Sequence, residues 1–142
     1  MSTQPAYAAM PVLGIAAVST ANTARDGSGT IVQLVVGRGA GTRVERIEYR
    51  AAQTTSAGMI RIFKKSNGLT LAADGTVASY SAPSWVLIKE LTVSAVTASN
   101  TVECANGSWA PTGGIALAPY EQLGASTAIA ESINVVAYGG HL

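Results

Sequence analysis

Few side chains in this sequence can do chemistry, and they are scattered. There is one histidine, His141, and one cysteine, Cys104, and only 12% of the 142 residues are charged. An ordinary soluble domain carries roughly 25%. His141 with Asp26 or Asp74 and a serine has the makings of a nucleophilic triad, but nothing in the spacing orders the three. A histidine so near the C-terminus is expected to be mobile. Without a Cys motif or paired carboxylates, a lone histidine does not close a zinc site. The run Gly37-Arg38-Gly39-Ala40-Gly41-Thr42 has the glycines of a phosphate loop but neither of its spacings. It lacks a Gly-Lys-Ser/Thr ending, and Thr42 stands where the third glycine of GxGxxG belongs. No helical pattern follows to aim an N-terminus at an anion, so it reads as a hairpin loop. The expectation is a chain that is not an enzyme and needs no metal or cofactor.

Two other groups invite a binding role. Trp85 opens an apolar run and is expected in the core, whereas Trp109 lies in a Gly/Pro-rich loop, residues 107–114, and reads as a contact residue. With Tyr80 and Tyr120, the tryptophans offer faces on which sugar rings stack. Arg43, Glu45, Arg46, Glu48 and Arg50, with Arg61 nearby, form the densest charge cluster. Alternating signs on one strand face read as solvated cross-strand pairs worth about 0.2–1 kcal/mol each. The same residues also suit pairing across a subunit interface, where Arg is favoured. Cys104 reads as a small, buried apolar side chain, and Asn106-Gly107-Ser108 as a turn.

The elements that must position these residues are short strands. Residues 30–36 are β-branched and apolar. Residues 46–51 alternate, with Ile47, Tyr49 and Ala51 on one face and Arg46, Glu48 and Arg50 on the other. Residues 58–65 follow. Residues 66–83 hold Asn67-Gly68, Asp74-Gly75 and Pro83 and read as a long excursion, a hairpin with an exposed tip. Residues 85–93 read as a strand with Trp85, Leu87, Leu91 and Val93 on one face, interrupted by Lys89. Further strands are expected at 100–105, 115–117, 122–126 and 133–138, with a loop at 106–114. No window keeps helical spacing. The fold expected is all-β: a single antiparallel β-sandwich or jelly-roll-like barrel over residues 30–142, preceded by an extended N-terminal arm over residues 1–29.

In that arm, Val12, Leu13, Ile15 and Val18 are too apolar for water. They are expected to dock on a neighbouring subunit unless residues 13–18 form the first strand of the chain's own sandwich. The arm has neither the basic start of a signal peptide nor the length of a membrane span. A net charge of +1 provides no field to attract nucleic acid or an anionic membrane. A mean hydropathy of +0.29 beside so few charges suggests surface covered by other subunits.

The chain resembles small virion proteins encoded among the structural genes of tailed bacteriophages. The residues that carry the likeness are Thr23-Ala24-Arg25-Asp26-Gly27-Ser28-Gly29-Thr30, residues 43–49, Thr54-Thr55-Ser56-Ala57-Gly58-Met59-Ile60-Arg61-Ile62-Phe63, Trp85-Val86-Leu87-Ile88-Lys89-Glu90-Leu91 and Ser132-Ile133-Asn134-Val135-Val136-Ala137-Tyr138-Gly139-Gly140. These are strands and turns rather than site signatures. The resemblance implies a capsid decoration or stabilising subunit, with a tail, neck or fibre-associated component as the alternative. Its partners would be the major capsid protein or other virion proteins and further copies of itself, a trimer by first expectation. It would reside in the virion, after assembly in the host cytoplasm. Residues 69–82 are long for such a protein and suggest an added contact surface. From a different class, a carbohydrate-binding β-sandwich would use Trp109 and Tyr120. Val12, Leu13, Ile15, Val18, Arg46, Glu48, Arg50 and Trp109 are the expected interface residues.

Overall fold

The computed structural model describes residues 10–142, with side chains from residue 14 onward. The strands in chain order are β1 (Met10–Val18), β2 (Val32–Val36), β3 (Thr42–Ala51), β4 (Gly58–Lys65), β5 (Leu69–Leu71), β6 (Val77–Tyr80), β7 (Trp85–Val93), β8 (Asn106–Trp109), β9 (Ile115–Leu117), β10 (Gln122–Thr127) and β11 (Ile133–His141). They form two antiparallel sheets, one ordered β1-β11-β3-β8 with β9 also on β3, the other β2-β10-β4-β7. A separate two-stranded hairpin consists of β5 and β6. The two larger sheets pack face to face, with β1 against β2 along one side and β7 against β8 along the other. This is the expected all-β sandwich.

Its core follows from period-two alternation. Ile47, Tyr49 and Ala51 of β3 and Ile133, Val135 and Ala137 of β11 point inward. They meet Ile60 and Ile62 of β4 and Leu123 and Ala125 of β10. Each such side chain, once buried, contributes about 1.5–3 kcal/mol. Two bulges adjust the pattern. On β3, Arg46 faces Tyr138 and Val44 faces Gly139, which leaves Glu45 over. Val44 and Ile47 can therefore both point inward although their positions differ by three, an odd step. On β7, Lys89 faces Ile62 and Leu87 faces Phe63, so Ile88 is the extra residue. The expected common face of β7 is thereby split. Trp85 and Leu87 lie on the outside with Phe63, and Leu91 and Val93 turn inward.

Three expectations change. The part of the arm the structure describes is not a separate body, because Met10–Val18 pairs with Ile133–His141 without a register shift. Ala16 and Val18 are buried in this chain's own core. Pairing with β11 and burial of Ala16 and Val18 are both met within the chain, so this segment is an edge strand of its own sandwich rather than a detached arm. Residues 100–105 form no strand. The strand lies just beyond them as β8, inside the expected loop, because Asn106-Gly107-Ser108 continues the ladder of β3 rather than turning. His141 is buried, and its Nδ1 shares a hydrogen bond with Thr42 Oγ1. It belongs to the end of a ladder rather than to a mobile tail.

Tyr49 ties the two sheets together: its hydroxyl donates to the Thr92 carbonyl at 2.6 Å. Tyr49→Phe removes this bond and leaves that carbonyl without its partner, a loss of about 1–2 kcal/mol readable by urea denaturation. Burial holds the Tyr49 phenol above its ordinary value of 10.0. The neutral form is the one the fold favours. Its stabilisation is complete below pH 10 and is lost as pH rises through the raised value, a loss that Tyr49→Phe abolishes.

Candidate interaction surface

The structure does not gather the reactive groups. Among the described residues, no three His, Cys, Asp or Glu side chains lie close enough to hold a metal ion. Cys104 is partly buried against the core. The features that stand out are two exposed surfaces and one ion pair between a buried arginine and a half-exposed glutamate.

The first surface is the outer face of the β1-β11-β3-β8 sheet. Register places Ile15, Val136, Glu48 and Ser108 in one row and Ala17, Asn134, Arg50 and Asn106 in the next, with Tyr138 beside Arg46. The Arg46 guanidinium lies 4.7 Å from the centre of the Tyr138 ring and its Nε 3.1 Å from Glu48. Arg50 approaches Glu103 only to 4.0 Å. These pairs are solvated and worth little individually. Between the strands runs a shallow cleft of about 370 Å³, lined by Glu48, Arg50, Asn106, Ser108, Asn134 and Tyr138 among others.

The second surface is the hairpin of β5 and β6. Both strands are exposed along their whole length. Leu69, Leu71, Val77 and Tyr80 are 42%, 59%, 58% and 66% exposed. The turn is closed by Asp74, which accepts from the Thr76 amide and hydroxyl. At the base, the Asn67 amide donates to the Pro119 carbonyl. Asp74 is the only charge from Ser66 to Ser84.

The ion pair lies on the outer face of the other sheet. Arg61 alternates with the inward Ile60 and Ile62, yet it is buried because residues 19–31 cross over this face as a strap. Asn22 organises the strap. Its amide donates to the Ser28 and Thr30 carbonyls, and its Oδ1 accepts from the Ala24 amide. Arg61 Nη1 donates to the Asn22 carbonyl at 3.1 Å, and its Nε sits 2.8 Å from Glu90 Oε1. Arg25 of the strap reaches the same oxygen at 2.7 Å. Under the strap, the Trp85 ring and Ile31 close over Gly124, where a Cβ would come within 2.9 Å of the indole and 2.7 Å of Ile31.

Hydrogen bonds from Arg61 first and Arg25 second hold the Glu90 carboxyl below its ordinary value of 4.5. The charged form is therefore the one the fold favours. The stabilisation is complete above pH 4.5 and is lost as pH falls through the lowered value. Melting temperature should drop on the acid side in the wild type, and Glu90→Gln should flatten that part of the profile. Asp26 and Asp74 are also lowered, by their Ser28 and Thr76 partners, and the Gln variant leaves their contribution in place.

Of the expected interface residues, Ile15, Arg46, Glu48 and Arg50 come together on the first outer face. Val12 and Leu13 hold register positions opposite Gly139 and Tyr138, with side chains outside the described ones. Two expectations are corrected. Val18 is 2% exposed and belongs to the core. Trp109 pairs with the inward Ile47, packs half-buried against the core and has Lys89 Nζ 5.7 Å from its ring centre. It is therefore not a free contact residue. Sequence reading missed Val136 and Tyr138, whose place beside the charges is fixed only by register. It also missed the buried role of Arg61, since its cover comes from a remote segment. Comparison of the chain with protein-family models, with curated proteins and with solved structures finds no match.

Proposed function

We propose that this chain is a bacteriophage virion structural protein, most simply a capsid decoration or stabilising subunit, that works by association and not by catalysis. The observation that supports this most directly is the β5–β6 hairpin. A lone two-stranded hairpin is marginal in water. This one holds Leu69, Leu71, Val77 and Tyr80 in solvent with almost no charge around them. Such an element gains most of its stability when a partner surface covers it, as a buried apolar patch at an interface does. The major capsid protein is the partner expected of a decoration subunit; a tail, neck or fibre protein is the partner in the alternative reading.

Quantitative mass spectrometry of purified particles tests the reading. Hundreds of copies per particle place the chain on the head, a dozen or fewer place it at the tail or neck, and none removes the proposal. The double variant Leu71→Ser/Val77→Ser should leave the melting curve nearly unchanged, because both side chains are already exposed. It should weaken attachment to particles about tenfold or more.

One observation keeps the carbohydrate reading in view. Tyr120 is 74% exposed and held at φ +66°, its amide donating to the Gly37 carbonyl at 2.8 Å. A tyrosine in the left-handed region is uncommon and is kept there by its surroundings. It borders a depression of about 560 Å³ with Pro119 and Arg38, which Trp109 does not line. Saturable change in Tyr120 resonances on titration with soluble glycans would favour this reading.

A further inference from the structure

We propose that the edge of β1 left unpaired among the described residues pairs antiparallel with β1 of a second copy of this chain, joining two sandwiches through one continuous sheet about a two-fold axis.

The direction of the β1 backbone groups can be worked out residue by residue. The Ala52 amide donates to the Ser132 carbonyl at 3.0 Å, and the Leu142 amide to Gly41 at 2.9 Å. The even-numbered residues of β11 therefore bond to β3, and the odd-numbered ones face β1. By register these odd residues meet Met10, Val12, Gly14, Ala16 and Val18. The N–H and C=O groups of Leu13, Ile15 and Ala17 consequently point away from the sheet. Pro11 falls in the same outward set, where its missing N–H costs no bond to β11.

The remaining edges of the sandwich are blunted. β7 carries Lys89, Glu90 and the bulge at Ile88. β2 has five residues and a bulge at Leu34. β8 and β9 have only four and three residues. Charges, bulges and short length are the usual protections against edge-to-edge pairing. β1 has none of them beyond Pro11 at one end: nine residues, no charge and no register shift.

These features favour a second copy as the occupant. An uncharged edge does not repel itself, and an antiparallel edge is self-complementary under a two-fold axis. The register centred on Ile15 sets Ile15 against Ile15 of the partner and Leu13 against Ala17 of the partner. It forms about six backbone hydrogen bonds and leaves Pro11 outside the ladder. It also brings the two Ile15 side chains together on the outer face, where each is 62% exposed in the single chain. Among the described residues each copy has one such edge, so the assembly closes at two.

Sedimentation velocity of the full chain at micromolar concentration should show a monomer–dimer equilibrium. Ile15→Lys, which sets two like charges opposite each other, should weaken the dimer about tenfold or more. Tyr80→Ser on the hairpin should leave it unchanged. Amide hydrogen exchange gives a readout that does not depend on any variant folding. The amides of Leu13, Ile15 and Ala17 should slow as concentration rises, while those of Gly14 and Ala16 stay slow throughout. A strict monomer, a trimer, an open-ended assembly, or a dimer in which these three amides remain fast would overturn the proposal. Loss of the dimer in Tyr80→Ser, with Ile15→Lys unaffected, would move the interface to the hairpin and overturn it equally.

Discussion

Deleting residues 2–20 is expected to unfold the domain or leave it insoluble. The deletion removes a nine-residue strand that pairs along its full length with β11 and fills the core with Ala16 and Val18. It also exposes the flank of β2, on which β1 packs closely enough that a Cβ at Gly14 would lie 2.3 Å from the Leu34 carbonyl oxygen. A domain of this size has only about 5–15 kcal/mol of stability in total. Loss of an edge strand with its buried side chains consumes a large share of that. Circular dichroism on heating should show either no cooperative transition or one lowered by about 10 °C or more. A truncated chain with an unchanged β spectrum and melting temperature would mean that β1 is dispensable to the body, which would restore the picture of a detachable arm.

The second large effect is expected at Phe63. It is fully buried, yet it alternates with Ile62 and so faces away from the main core. Its register partners are Gly124 and Leu87, beneath Trp85, Ile31 and the strap of residues 19–31. Phe63→Ala should cost about 3–5 kcal/mol, the range for removing a buried aromatic ring, because a bare glycine and a strap that Arg61 and Asn22 hold in place cannot collapse into the space. Denaturant unfolding measures it. A cost under about 1 kcal/mol would show that the outer face is not a second packed layer, since exposed positions give changes of that size or smaller. Arg61→Met serves as a companion variant. It removes the bonds to Glu90 and Asn22 while keeping most of the side-chain volume, so it separates the role of the charge from that of the packing.

The sequence by itself determined the class of fold, and the reason is physical. Alternation in residues 46–51 and β-branched runs bounded by glycine and proline leave a chain with no helical face to bury, so only strands packed on strands remain available. It also determined the hairpin, because Asn67-Gly68 and Asp74-Gly75 frame two apolar runs with turn residues suited to positive φ, and both glycines adopt it. It placed Arg46, Glu48 and Arg50 together on the outward face of one strand by parity alone, whereas Ile15 joins them only through the pairing of β1 and β3 with β11.

Tertiary structure decided the rest. Parity fails at a bulge, and the extra residues Glu45 and Ile88 reverse the face of every position beyond them, which is why Trp85 and Leu87 part from Leu91 and Val93. Whether residues 10–18 dock at home or on a neighbour depends on whether β11 has an open side, a property of remote sequence. The burial of Arg61 has the same origin, because residues 19–31 cover an outer strand face that would otherwise be wet. Trp109 was legible as a large aromatic near glycines, but its inward direction follows from Ile47 across the ladder. Local pattern specifies which strands form. The pairing of distant strands specifies which of their faces, and which of their edges, remain open to a partner.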